Sequence, residues 1–173
     1  DRVTAQPDRT SADGKGLLLQ RSGPQGADFE HGECLRRITR KSLEYIAAQS
    51  AKKPFFLYMP LTAPHTPILP SEEFRGKSGL SPYGDFVMMV DDVVAQIVAR
   101  LKEQGLYENT VVVFAADNGC FHGAGVKEME AGGHFPSYIY RGYKSDLFDG
   151  GHRVPLVVSR GGKNGGRVER GLV

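Results

Sequence analysis

Three short stretches place polar side chains next to apolar runs. VVVFAADNGC, Val111 to Cys120, ends its branched run with the carboxylate of Asp117, the carboxamide of Asn118 and then Gly119. Acid and amide side by side offer hard oxygen donors of the kind Ca²⁺ or Mg²⁺ takes, and the glycine lets the backbone turn away. The same tripeptide is equally a common turn sequence. In LTAPHTPILP, residues 61 to 70, prolines on both sides of His65 stiffen the loop, so the imidazole costs little further entropy to order. A lone loop histidine is more often a solvated or capping residue, and that reading stays open. RGYKSDLFDGGHRVP, Arg141 to Pro155, offers Arg141 and Lys144 to an anion, while Gly150 and Gly151 permit close backbone approach. The rival is a loop whose two cations pair with Asp146 and Asp149.

Something must hold these loops. Between Glu33 and Ser50, Leu35, Ile38, Tyr45 and Ile46 fit one helical face. FFLYM, bounded by prolines, reads as a buried strand. SPYGDFVMMVDDVVAQIVARLKEQG reads as the clearest helix: Ser81 is its N-cap, Pro82 its first residue, and Gly105 its stop. Phe86, Val90, Val93, Val94, Ile97, Val98 and Leu101 form its buried stripe. TVVVFAAD follows as a strand whose unbroken apolar run predicts cover on both faces, as in a parallel sheet, and VPLVVS from Val154 to Ser159 predicts another. Strand, helix, strand with short connections predicts an α/β fold, a three-layer α/β/α sandwich around a mostly parallel central sheet. Ligands of such sheets gather beyond the carboxyl ends of the strands, where Asp117 and Asn118 stand. Residues 1–31 read as an irregular surface segment with at most one short strand at GLLL, and residues 32–173 as the domain.

Composition excludes several partners. Among 173 residues the formal net charge is only +2, with no basic run of five or six, which gives nucleic acid or an anionic membrane no electrostatic handle. No apolar stretch approaches the roughly 18 to 20 residues that span a bilayer, and the first 30 residues lack the apolar core of a signal peptide. Cys34 and Cys120 make no disulfide framework and leave the redox compartment open, as the composition leaves the oligomeric state.

In order and approximate spacing, PFFLYMPLTAPHTP, YGDFVMMVDDVVAQIVARLKEQGLYENTVVVFAADNG and GGHFPSYIYRGYKSDLFDGGHRVPLVV resemble the sulfatase family, whose fold belongs to the wider alkaline-phosphatase-like group. The resemblance runs from about residue 33 to 160 and is specific through the three blocks jointly. It implies that Asp117 and Asn118 are ligands of the active-site metal, usually Ca²⁺, with Mg²⁺ as the alternative. It implies that His65 contacts the sulfate group or the leaving oxygen and that Lys144 holds the sulfate. His134 and Arg141, in the adjacent loop, are weaker candidates for gripping substrate, Asp149 takes a structural role, and His122 and His152 have none in catalysis. The implied substrate is an aryl or carbohydrate sulfate ester, and a secreted, periplasmic or lysosomal location fits the family.

One departure matters more than these matches. The family's nucleophile is a formylglycine made within a Cys/Ser-x-Pro/Ala-x-Arg motif, and that motif is missing. Cys34 is followed by LRRI and Cys120 by FHGA, so neither qualifies. The early Asp-Asp metal ligands and a Gly-Lys-Trp-His-like segment are missing too, and the chain has no tryptophan. The expectation is that an N-terminal portion of the catalytic domain, with the formylglycine, lies outside this sequence. The alternatives are a phosphate mono- or diester hydrolase of the same fold group and a non-catalytic anion- or carbohydrate-binding homologue.

Overall fold

The computed structural model describes residues 27–161. Two helices carry the core. The first, α1, is Cys34–Ala47 and buries Leu35, Thr39, Ser42 and Ile46, with the Thr39 hydroxyl donating to the Leu35 carbonyl at 2.8 Å. The second, α2, is Pro82–Glu103. Its start follows the sequence signals: the Ser81 hydroxyl accepts from the Gly84 N–H at 3.2 Å, with proline at the first helical position. Its end is closed by two returning hydrogen bonds, Gly105 N–H to Lys102 O at 2.9 Å and Leu106 N–H to Leu101 O at 2.8 Å, with Gly105 left-handed at φ 65°. Leu101 and Leu106 then pack together with Ile46, the apolar contact that accompanies this kind of helix stop. A second cluster joins Leu35 of α1 to Phe86, Met89, Val90 and Val93 of α2 and to Ala63.

Against these clusters lies the first of two strands. Val111–Ala115 forms β1 and Leu156–Arg160 forms the last strand, β2, paired antiparallel with Val113 opposite Val158. Between them lie two short helices, α3 at Val126–Ala131 and α4 at Asp149–His152. This departs from the expected mostly parallel sheet, because an apolar run reveals that a segment is a strand but not the direction of its neighbour. FFLYM is extended but carries no ladder among the described residues. Among the described residues, cover on both faces is not seen there either. Val112 and Phe114 pack on the helices, while Val111 and Val113 are 57% and 60% exposed. Phe55, Leu57 and Met59 likewise face inward, and Phe56 and Tyr58 stand 86% and 76% exposed. The period of two decides which side chains share a face, and one face here has cover. The GLLL stretch, and with it most of the 1–31 segment, lies outside the described residues.

A buried carboxylate locks the entry to α2. Asp85, 5% exposed, accepts the N–H groups of Gly76 at 2.7 Å and Ser78 at 2.9 Å. Burial works to raise its pKa, and the hydrogen bonds from Ser78 and Gly76 outweigh it, leaving the carboxyl below its ordinary 3.8. A depressed folded-state value means the contribution is present above the unfolded pKa and fades as pH falls through the folded one. Asp85→Ala is therefore expected to destabilise the protein at neutral pH by about 2–3 kcal/mol, with two donors left unpaired. Urea midpoints of variant and parent should converge below about pH 4; a constant gap down to pH 2 would contradict the assignment.

Candidate active site

Beyond the end of β1 a cavity of about 580 Å³ opens between the α2 N-terminus, the loop after FFLYM, the loop after β1 and the loop of Lys144. Asp117, Asn118, His65 and Lys144 all line it. They come from three loops, 79 positions apart in sequence at the extremes (144 minus 65), so the convergence is a property of the fold. Asp117 and Asn118 lie in the bend just after β1, where the chain has stopped pairing and its side chains can face the opening.

Each group has a defined orientation. The Asn118 amide nitrogen donates to the Gly119 carbonyl at 3.0 Å, which leaves its oxygen as the atom available to a cation beside the exposed Asp117 carboxylate. His65 Nδ1 lies 2.7 Å from the Thr66 carbonyl. A carbonyl only accepts, so Nδ1 carries the proton and Nε2 is the acceptor of the neutral ring; donation from Nε2 requires the imidazolium. The backbone of this loop turns on His65 N–H to Thr62 O at 3.2 Å. No salt bridge of Lys144 is found among the described residues, where Asp149 pairs with Arg153 at 3.3 Å and Asp146 accepts the Tyr143 N–H at 2.8 Å. The rival reading of a self-neutralised loop therefore lacks its partners for Lys144.

Two backbone bonds stitch the Asp-Asn-Gly turn to the lysine loop: Lys144 N–H to Cys120 O and Gly119 N–H to Gly151 O, each 2.8 Å. The approach is so close that a Cβ on Gly119 would stand 1.9 Å from the Gly150 carbonyl oxygen, and one on Gly150 would stand 2.0 Å from that of Gly142. Only glycine fits this seam.

The remaining candidates sit elsewhere. Neither His134 nor Arg141 is among the residues lining the cavity. Arg141 lays its guanidinium over the Phe148 ring at 3.7 Å, and exposed His134 donates its N–H to the Met129 carbonyl at the end of α3. His122 packs on Phe121, and His152 Nδ1 lies 3.0 Å from the Phe148 carbonyl. Tyr83, not singled out by sequence, lines the cavity from the first turn of α2. The signal was present: it lies three residues before Phe86 and seven before Val90, on the same helical stripe. Burial, and then the neighbouring Cys120, push its phenol well above the ordinary range. Burial also pushes up both thiols, Cys34 and Cys120, which keeps them protonated and unsuited to nucleophilic attack.

For a divalent cation the donor chemistry fits, but as a partial set. Among the described residues no group of three or more His, Cys, Asp or Glu side chains is arranged to hold a metal, whereas Ca²⁺ takes six to eight oxygens. Asp117 and Asn118 supply two hard donors on one wall.

Comparison with known proteins gives this geometry its family. The Sulfatase family profile matches residues 7–173. The N-acetylgalactosamine-6-O-sulfatase of Bacteroides thetaiotaomicron is 36% identical over 140 residues, covering 79% of this chain and 27% of the relative. The arylsulfatase of Hemicentrotus pulcherrimus is 35% identical over 130 residues, covering 75% and 22%. The chain thus spans about a quarter of the length of these relatives. Among solved structures, a sulfatase described in the metabolism of multiple glycosaminoglycans by Bacteroides thetaiotaomicron superposes with a TM-score of 0.71 at 33% identity, over 79% of this chain and 29% of that one. The PsFucS1 sulfatase of Pseudoalteromonas sp. gives 0.64 at 27% identity, over 85% and 29%. With a family match over nearly its whole length and the fold of solved sulfatases, the chain belongs to the sulfatase family.

Proposed function

We propose that this chain is the C-terminal portion of the catalytic domain of a sulfuric ester hydrolase acting on an aryl or carbohydrate sulfate. The observation that carries the reading is the meeting of Asp117, Asn118, His65 and Lys144 on one cavity. The relative named for N-acetylgalactosamine 6-O-sulfate supports the carbohydrate choice. Lys144 binds the sulfate through a compact ammonium charge, carried on a backbone already tied to the Cys120 carbonyl, and stabilises the negative charge that builds on the oxygens. His65, as imidazolium, donates from Nε2 to the ester and so places a proton within reach of the leaving oxygen. Asp117 and Asn118 Oδ1 would hold Ca²⁺, or Mg²⁺, whose charge polarises the sulfate. The nucleophile in this reading is a formylglycine contributed from outside these residues.

The finer architecture belongs to the same proposal: a three-layer sandwich in which further helices cover Phe56, Tyr58, Val111 and Val113. No helix among the described residues is long and apolar enough to cross a membrane. A secreted, periplasmic or lysosomal setting accords with the reading.

The test is substrate choice by the full-length protein. Sulfate esters of 4-methylumbelliferone and of N-acetylgalactosamine should be turned over at least roughly 100-fold more efficiently, in kcat/KM, than the matching phosphates. Preference for the phosphates would make it a phosphoryl enzyme. Tight binding of sulfated sugar without hydrolysis would make it a binding module.

A further inference from the structure

Among the described residues the backbone of Lys144 makes one hydrogen bond, from its N–H to the Cys120 carbonyl. The loop is braced within itself by Tyr143 N–H to Asp146 Oδ2 and Gly150 N–H to Arg141 O, each 2.8 Å, and these bonds do not set how the braced loop is turned toward α3, which decides where a long side chain aims. The adjacent residue supplies that tether. The Tyr143 hydroxyl donates to Glu130 Oε1 on α3, thirteen positions back in the sequence. Although α3 is short, it is a firm platform, because Val126 and Met129 are only 3% and 2% exposed and anchor it to the interior. The Glu130 carboxylate, a charged acceptor, makes the bond stronger than a neutral pair. The same bond pushes the Tyr143 phenol up to about 12, so it stays a donor throughout the neutral range.

We infer that Tyr143, through its bond to Glu130, is the positioning residue that aims Lys144 into the cavity. Tyr143 itself is not among the cavity-lining residues; it acts from the α3 side while Lys144 faces the opening. The inference rests on the reading of Lys144 as the anion-binding group.

The experiment uses the full-length protein with inorganic sulfate as the probe, its inhibition constant read against hydrolysis of 4-methylumbelliferyl sulfate, alongside thermal midpoints. Tyr143→Phe and Glu130→Ala should each raise that constant between about ten- and a hundred-fold, the range a misplacement near 1 Å produces. Glu130→Gln should stay within about threefold of the parent, since its amide oxygen still accepts the phenol proton. The double variant Tyr143→Phe/Glu130→Ala should be no worse than either single one, as expected when both remove one interaction. A purely structural bond would lower the thermal midpoint and leave sulfate binding unchanged, and that result overturns the inference. Should Tyr143→Phe fail to fold, the Glu130 pair alone decides, because an alanine that binds sulfate as well as glutamine does overturns the inference equally. Lys144→Ala separates the two levels. If it loses sulfate while Tyr143→Phe and Glu130→Ala bind as the parent, the positioning role is wrong and the site stands; if it keeps sulfate, the site reading itself falls.

Discussion

Lys144→Ala in the full-length protein is expected to lower kcat for sulfate ester hydrolysis by about 10²–10³, the magnitude seen when one preorganised charge-stabilising donor is removed. Two features make it the largest single effect. No counter-ion pairs with this ammonium among the described residues, so its whole charge is available to the substrate. Its backbone is fixed by Cys120, so the loop should survive loss of the side chain. Arginine is expected not to rescue, because a planar fork does not replace a compact point charge in a site shaped for the latter. The measurement is kcat at saturating substrate together with far-ultraviolet circular dichroism of the same sample. Parental turnover in a folded variant would remove Lys144 from the mechanism.

Asp117→Asn should be nearly as damaging, and its readout differs. The substitution keeps the shape and removes the negative charge that a divalent ion needs. Outer partners of metal ligands alone cost about 10–100-fold in metal affinity, so loss of the charged ligand should exceed that. Calcium content after dialysis should drop from stoichiometric towards zero, with turnover following it and returning in part at millimolar Ca²⁺. Full retention of bound Ca²⁺ by the variant would return Asp117, Asn118 and Gly119 to the status of an ordinary turn.

The parts that were legible in the sequence are those set by local chemistry. Ser81, Pro82 and Gly105 bound α2 because a cap, a fixed φ and a left-handed exit are each decided within a few residues. The start of β1 and the location of Asp117 just beyond its end were legible for the same reason. What stood opposite the strand was not. Val111 and Val113 have the same composition whether a second layer covers them or solvent does, and the antiparallel partner β2 arrives from 45 positions downstream (156 minus 111). Side-chain direction in loops was equally hidden: nothing in RGYKSDLF tells an arginine that reaches for an anion from one that lies on the phenylalanine seven residues later, as Arg141 does. Tyr83 was missed for a third reason, since its stripe identifies a buried face without saying that part of that face is a cavity wall.

The glycine seam between Gly119 and Gly150 constrains how a domain of this family can diversify. Because backbone touches backbone there, the turn bearing the oxygen donors and the loop bearing the lysine cannot drift separately; a side chain gained on either side would force both apart. New specificities must then be invented outside the seam, where chain is loosely packed and replaceable. The stretch holding Phe135, Tyr138 and Ile139, all well exposed, has that freedom. Selection for altered substrate range should find its mutations there while leaving the seam silent.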